Sequence, residues 1–349
     1  MLKVWIDYST IAFDNLTGIG RYIVETSLVL QKNPEIQLEG ACKLSRWKNR
    51  YKIQRHLSDI PLHVLPSLKR PDLFHGPDFA MHYYGKAKKV VTIHDLAVFH
   101  PNLVDSRRVE SPQQGKIQKL LRSNRIDAII TVSEFVKKEI LHFFPHLDKP
   151  IFVTPLAANH RNFTFQKQTS KPFLLYVGPL DRRKNVLGLC KAFELIAERY
   201  PEFRLTMVGG SNGFESEKVF EFIQESRFRK QFEYLSFVSD QELQNLYATA
   251  WAFVFPSFYE GFGIPVLEAM HYELPVLTSR DTTMQEVAGD AAFFVNPYEI
   301  TDIAEGLQKI ISDTNLRTEL IQKAKRRLAL FSWERTARKT LDAYITILS

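Results

Sequence analysis

Pro256-Ser257-Phe258-Tyr259-Glu260-Gly261-Phe262-Gly263-Ile264-Pro265-Val266-Leu267-Glu268 is the most informative stretch of this chain. The apolar run Trp251-Ala252-Phe253-Val254-Phe255 before it suits a buried parallel strand, and Pro265 suits the first turn of a helix, where its missing N–H leaves no bond unmade. The expected order is strand, glycine loop, helix. A helix start of that kind presents unpaired backbone N–H groups and the positive end of the helix dipole, and Gly261 and Gly263 let an anion approach the backbone closely. The backbone N–H groups from Phe262 through Gly263 to Ile264 are the expected anion contacts. Glu260 and Glu268, eight positions apart, flank that turn, with Glu268 expected on the first helical turn. An ionised carboxylate only accepts hydrogen bonds, so neither can hold a phosphate, and both are expected to hold hydroxyls.

Working outward, apolar strand-like runs alternate with helical patterns along the whole chain: Val4–Tyr8, Gln37–Cys42, Val90–Ile93 and Ala128–Val132, then Phe173–Val177, Leu205–Val208, Phe253–Phe255 and Pro275–Leu277. Such alternation implies right-handed βαβ units and parallel sheets covered on both faces, an α/β architecture. At 349 residues, 45% hydrophobic and 24% charged, the chain suits two domains of about 150–190 residues each. The expected boundaries are 1–160 for the first domain, 161–172 for a polar linker without periodicity, 173–330 for the second domain and 331–349 for a closing helix.

Cys42 and Cys190 stand far apart with no CxxC or Cys/His spacing, so neither a disulfide framework nor a zinc site is indicated and a reducing cytoplasm fits. No run approaches about 18 apolar residues, and the strand pattern from Met1 lacks the apolar core of a signal peptide. Charge is uneven: residues 1–161 carry 24 Lys+Arg against 15 Asp+Glu, a net of +9, and the remainder 22 against 24, a net of −2. The densest basic stretch, Lys43 to Arg55, holds six cations and no acid, interleaved with Trp47, Tyr51 and Ile53. It suits an interfacial helix on an anionic bilayer, a nucleic-acid patch, or simply a solvated cationic face.

Three further segments end a strand in polar or glycine residues. Tyr176-Val177-Gly178-Pro179-Leu180-Asp181-Arg182-Arg183-Lys184-Asn185 brings cations to a helix start, where an arginine fork and a lysine point charge can neutralise a diphosphate. Thr17-Gly18-Ile19-Gly20-Arg21-Tyr22 follows the first strand, with a helix expected from Tyr22 to about Gln31. Val90-Val91-Thr92-Ile93-His94-Asp95-Leu96 ends a buried strand in His94 and Asp95, with Asp95 expected to orient or cap. Ser133 and Ser239 read as helix N-caps, and Glu286 as structural.

Together the Glu260–Glu268 string, the glycine-to-basic segment Gly178–Lys184, the early Gly18-Ile19-Gly20 and Ser332-Trp333-Glu334-Arg335 resemble the family 4 retaining glycosyltransferases, over nearly the full chain. The resemblance implies the GT-B fold: two Rossmann-like domains facing across a cleft, with the C-terminal helix crossing back to the first domain. It implies a nucleotide-sugar donor as substrate, no cofactor and no metal. His94 would lie under the transferred sugar, Glu260 on its hydroxyls, Glu268 on the ribose, Arg183 and Lys184 on the diphosphate, and Gly18, Gly20 and Gly178 beside the donor. Pro179 departs from the arginine that many members carry there, which leaves Arg183 and Lys184 as the cations and Arg182 at the surface. The chain is similar to bacterial mannosyl- and rhamnosyltransferases that extend cell-envelope polysaccharides on lipid carriers. That points to GDP-mannose as donor, a glycan or lipid-linked oligosaccharide as acceptor, contact with an anionic membrane through 43–55, the cytoplasmic face of the inner membrane, and no nucleic acid. A GT-B epimerase acting on a UDP-sugar and a basic nucleic-acid-binding protein are the competing expectations.

Overall fold

In the computed structural model of the chain, described for residues 1–13, 16–67, 69–83, 85–104, 112–158 and 172–349, thirteen strands form two wholly parallel sheets. The strands are β1 Leu2–Asp7, β2 Ile36–Lys43, β3 Leu62–Leu65, β4 Leu73–Gly76, β5 Lys88–Ile93, β6 Ala128–Thr131, β7 Ile151–Val153, β8 Phe173–Val177, β9 Arg204–Val208, β10 Phe232–Leu235, β11 Ala252–Phe255, β12 Val276–Ser279 and β13 Phe293–Val295. Their orders are β3-β2-β1-β4-β5-β6-β7 and β10-β9-β8-β11-β12-β13. Each is a Rossmann-like sheet whose order reverses once, between β1 and β4 and between β8 and β11. The chain divides into two compact units, Met1–Phe99 with Glu110–Ala157 and Phe331–Ser349, and His100–Val109 with Ala158–Leu330. Apart from Pro172, the expected linker 161–172 lies outside the described residues. Among the described residues no helix is long and apolar enough to cross a membrane.

The sheets are parallel because every strand is followed by a crossover, most of them helical, and their central strands are buried on both faces. Leu174, Leu175 and Tyr176 of β8 and Ala252 to Phe255 of β11 are sealed from solvent, which explains their unbroken apolar runs. The strands β3, β4, β7 and β13 add to those expected from the sequence; His63 interrupts the apolar run of β3, and His75 and Gly76 that of β4. Two boundaries differ from expectation. The first helix runs Gly18–Leu30, capped by Thr17, whose hydroxyl accepts from the Gly20 N–H. The basic stretch is not one helix but a 3-10 segment, Leu44–Asn49, followed by a helix, Arg50–His56.

The closing helix Trp333–Leu348 is capped by Ser332, whose hydroxyl accepts from the Arg335 N–H, and it packs in the first unit against Gly18–Leu30. Its anchor is a buried polar chain: His75 of β4 bonds the Tyr344 hydroxyl through Nδ1 at 2.6 Å and the Thr92 hydroxyl through Nε2 at 2.7 Å, and Thr92 meets the Tyr22 hydroxyl at 3.1 Å. Burial, with His94 nearby, pushes the His75 imidazole down to about 3. The unfolded chain, at about 6.5, takes up a proton that the folded state refuses. This contribution is therefore whole above about pH 6.5 and is lost as pH falls toward the folded value, at about 1.4 kcal/mol per pH unit. Urea unfolding of wild type should weaken accordingly between about pH 6.5 and pH 5, and His75→Gln should show a flatter slope over the same range. Equal slopes would remove His75 as the cause.

Candidate active site

The second sheet reverses order between β8 and β11, and these two strands pair only at Ala252–Leu174 and Phe253–Leu175, two residues short of the carboxyl end of each. Beyond that register they part, and the loops that follow them are where open α/β sheets take ligands.

On the β8 side the loop is closely packed. Gly178 N–H bonds the Val208 carbonyl at 2.8 Å, and a Cβ on Gly209 (φ +146°) would fall 2.1 Å from the Gly178 carbonyl oxygen. Asp181 then caps the 3-10 turn Arg182–Lys184, its carboxylate accepting from the Arg183 N–H at 3.0 Å and the Phe214 N–H at 3.2 Å. Asn185 closes the turn in the left-handed conformation (φ 56°), and its amide donates to the carbonyls of Pro256 at 3.0 Å and Pro297 at 2.7 Å. One side chain thereby ties the loops after β8, β11 and β13 together. Arg182 is exposed and paired with Glu215 at 2.9 Å, in keeping with a surface role.

The β11 side meets it through backbone and charge. Phe258 and Tyr259 N–H groups both donate to the Arg183 carbonyl, at 2.9 and 3.4 Å. The Lys184 ammonium lies 2.5 Å from Glu260 Oε1 and 5.1 Å over the Phe255 ring, and both side chains of the ion pair are at most 10% exposed. A buried pair of this kind gains little over an apolar pair, yet removing one partner leaves an uncompensated charge. Thr283 donates to the Glu260 carbonyl at 2.5 Å and fixes the loop from below. Burial, then the charges of Glu260 and Asp181, raise the Tyr176 phenol well above its ordinary range, so it stays a donor, to the Pro179 carbonyl at 2.9 Å.

Gly263 (φ +97°) stands immediately before the helix Ile264–His271, and a Cβ there would meet the Met284 methyl at 2.4 Å. The positive φ calls for glycine at this helix start, and any larger residue would also have to displace the end of the Met284 side chain. Glu268 is the fifth residue of that helix, on its second turn rather than its first, and its Oε2 accepts from the Tyr247 hydroxyl at 3.1 Å. Gly178, Arg183, Lys184, Glu260, Phe262, Gly263, Ile264 and Glu268 thus share one edge of one unit. The sequence did not single out Tyr247, Asn185, Thr283 or Met284. Of these only Asn185 carries a local signal, asparagine being the side chain most tolerant of left-handed backbone after glycine.

His94, Gly18 and Gly20 belong to the first unit. Gly18 and Gly20 lie within the first helical turn, not in a loop before it. A Cβ at Gly18 would meet nothing within 4 Å, so space does not demand glycine there. His94 donates from Nε2 to the Pro77 carbonyl at 2.9 Å, with the Tyr22 ring edge-on at 5.0 Å. Burial lowers its pKa, outweighing the Pro77 bond and the Asp78 and Asp95 charges. A carbonyl can only accept, so the hydrogen stands on Nε2, and in the neutral ring Nδ1 carries the lone pair. Asp95 caps the turn that follows, accepting from the Ala97 N–H at 3.1 Å, and Ser133 caps its helix through the Val136 N–H at 3.1 Å. The Glu286 carbonyl is bonded by Arg327, which buttresses that turn.

The model of the family described as "Glycosyl transferases group 1" matches residues 160–327. The chain is 31% identical over 289 residues to O-antigen chain mannosyltransferase B of Escherichia coli, an alignment covering 78% of this chain and 74% of that protein. It is 27% identical over 277 residues to the serotype-specific mannosyltransferase WbdA of Escherichia coli, covering 75% of this chain and 34% of that one. Among solved structures, sucrose-phosphate synthase from Thermosynechococcus elongatus superposes with a TM-score of 0.78 over 99% of both chains at 18% identity, a likeness of fold.

Glu260→Ala should cost about 3 kcal/mol or more in denaturant unfolding by stranding the Lys184 ammonium, whereas the double replacement Lys184→Met with Glu260→Leu should stay within about 1 kcal/mol of wild type. A near-neutral single replacement would show that the pair is open to water.

Proposed function

Because the chain belongs to the group 1 glycosyl transferases, we propose that it moves a hexose, mannose from GDP-mannose in the first instance, to a hydroxyl of a glycan or lipid-linked acceptor, with retention of the donor's anomeric configuration and without a metal. The observation that carries this reading is the Lys184–Glu260 pair on the loops beside the Gly263 helix start, with Arg183 next to Lys184 and the Arg183 carbonyl accepting from the Phe258 and Tyr259 N–H groups. In it the helix N-terminus and the two cations receive the diphosphate, and Lys184, already desolvated, stabilises the charge that grows there as the sugar departs. Glu260 keeps one oxygen on Lys184 and turns the other to the sugar, which sets ammonium and sugar in fixed register. Glu268, oriented by Tyr247, takes the ribose hydroxyls.

The mannose assignment draws on the relatives, which are named as mannosyltransferases. The competing UDP-sugar epimerase would turn over donor without an acceptor.

Membrane contact follows from the basic segment. Leu44 and Tyr51 are 67% and 62% exposed, and Arg46 lies 4.5 Å over the exposed Phe13 ring. Exposed apolar groups set among cations suit the interface of an anionic, cytoplasm-facing leaflet, at about 1 kcal/mol per cation.

In a thermal-shift panel of nucleoside diphosphates and nucleotide sugars, GDP-mannose at about 100 times its Kd should stabilise the protein by about 2.7 kcal/mol. A shift selective for another base would replace the donor. Lys184→Ala should lower turnover on the order of 100-fold, EDTA should leave it unchanged, and Glu268→Ala should weaken donor binding. Wild type should float with anionic liposomes, and neutralising Arg46, Lys48 and Arg50 together should abolish flotation; unchanged flotation removes the membrane assignment.

A further inference from the structure

Beneath the functional edge of the second unit lies a helix of only six residues, Thr283–Ala288, and its first two side chains both touch the site. Thr283 donates to the Glu260 carbonyl at 2.5 Å, and the Met284 methyl lies against Gly263, 2.4 Å from where a Cβ would stand. Both residues are sealed from solvent. So short a helix does not hold itself, because the cost of nucleating it is spread over too few bonds, and its place is set by what grips its ends. At the amino end Thr282 is the grip: its hydroxyl accepts from the Met284 N–H at 3.1 Å and donates to the Ser279 carbonyl at 3.3 Å.

The carboxyl end is gripped from farther along the chain. Arg327, on the helix Thr314–Leu328, donates from Nη2 to the Glu286 carbonyl and from Nε to the Val287 carbonyl, the latter at 2.9 Å. Gly289 (φ +60°) makes room for the guanidinium: a Cβ there would fall 3.1 Å from Nε and 3.2 Å from Cζ. Burial pushes the Arg327 pKa down, against the charges of Asp290 and Glu286, so the cation is kept here at a cost in hydration. An arginine on the last carbonyls of a helix is ordinarily a cap and nothing more. This cap differs because the six residues it secures carry contacts to both Glu260 and Gly263.

We propose that Arg327 is a positioning residue for the transfer: gripping the far end of Thr283–Ala288, it holds Thr283 under Glu260 and Met284 against Gly263, and so keeps the carboxylate and the helix start in register. This rests on the transferase reading above, in which Glu260 meets the sugar and the helix start meets the diphosphate. Two successive carbonyls are held in one plane, which suits the rigid fork of a guanidinium and not the single ammonium of a lysine. Arg317, earlier on the same helix, is the natural comparison. Its Nη2 donates to the Trp251 carbonyl at 3.2 Å and its guanidinium lies 3.7 Å over the Trp251 ring, just before the amino end of β11, so it secures the helix without touching Thr283–Ala288.

The test uses the full chain, reads GDP release from GDP-mannose with octyl α-mannoside as acceptor, and follows amide hydrogen exchange without ligand. Arg327→Lys should lower kcat on the order of 100-fold while KM for GDP-mannose stays within about 3-fold, the mark of a misplaced group rather than a lost binding contact. Exchange of the amides at 258–267 should quicken about 10-fold or more in the same variant. Arg317→Lys should lower the unfolding midpoint yet keep kcat near wild type. Thr283→Val, which removes only the hydroxyl under Glu260, should also lower kcat, and adding it to Arg327→Lys should cost little more, since both act through one contact. Unchanged exchange at 258–267 in Arg327→Lys overturns the proposal, as does an equal loss of kcat in Arg317→Lys, which would make the effect a general loosening of the helix. Should Arg327→Lys fail to fold, a wild-type kcat in Thr283→Val breaks the relay by itself. If wild type releases no GDP from GDP-mannose, the donor reading fails, and the exchange comparison alone then decides whether Arg327 holds the Glu260–Gly263 loop.

Discussion

A lysine and a glutamate, buried together between two loops, are the interaction on which the second unit's functional edge depends. Lys184 arrives from a turn clamped by Asp181 and Asn185, and Glu260 from a loop whose N–H groups rest on the Arg183 carbonyl. Neither charge would tolerate burial alone. Each therefore fixes the other's loop, and the cost of desolvating the ammonium is met during folding rather than when a ligand arrives. Preorganised charge of this sort is worth more to a reacting anion than the same lysine in water, because little solvent remains to be rearranged.

The first unit uses the opposite chemistry. Its interior carries neutral hydrogen-bonding groups, the Tyr344–His75–Thr92–Tyr22 chain, and keeps them neutral by burial. Of its carboxylates, Asp7, Asp78 and Asp95 stand at the edge, each with a backbone N–H on a carboxylate oxygen, while Glu39 of β2 is buried beside Trp5, His63 and Lys3. Both units thus place polar chemistry at the carboxyl ends of their strands, since the faces of a parallel sheet are taken up by its helices.

What could be read from the sequence was local. The apolar runs of β8 and β11, Pro265 at a helix start, and the caps Ser133 and Ser239 depend on neighbours within a few positions and stand where expected. The carboxylates and cations of the second unit were legible as a set, though their pairing was not: Lys184 and Glu260 are 76 positions apart, and nothing near either residue announces the other. Glu268 and Tyr247 meet for the same reason, by way of the fold. The strand β4 escaped because His75 and Gly76 interrupt its apolar run. The basic segment read as one helix on charge and spacing, but it breaks at Asn49, where a 3-10 run gives way to an α-helix. Asp7 and His82 are 75 positions apart, and only the sheet order brings them side by side.

The first unit is assembled from pieces that are distant along the chain, Met1–Phe99 and Glu110–Ala157 and then Phe331–Ser349. A ribosome delivers the whole of the second unit before it delivers Tyr344, so at about 5–20 residues per second His75 waits some tens of seconds, roughly 13–54 s, for a partner 269 positions later. During that interval the nascent first unit has an open groove beside Gly18–Leu30 where its closing helix will lie. The second unit, whose last residue is Leu330, is complete earlier and is the part able to fold while synthesis is still under way.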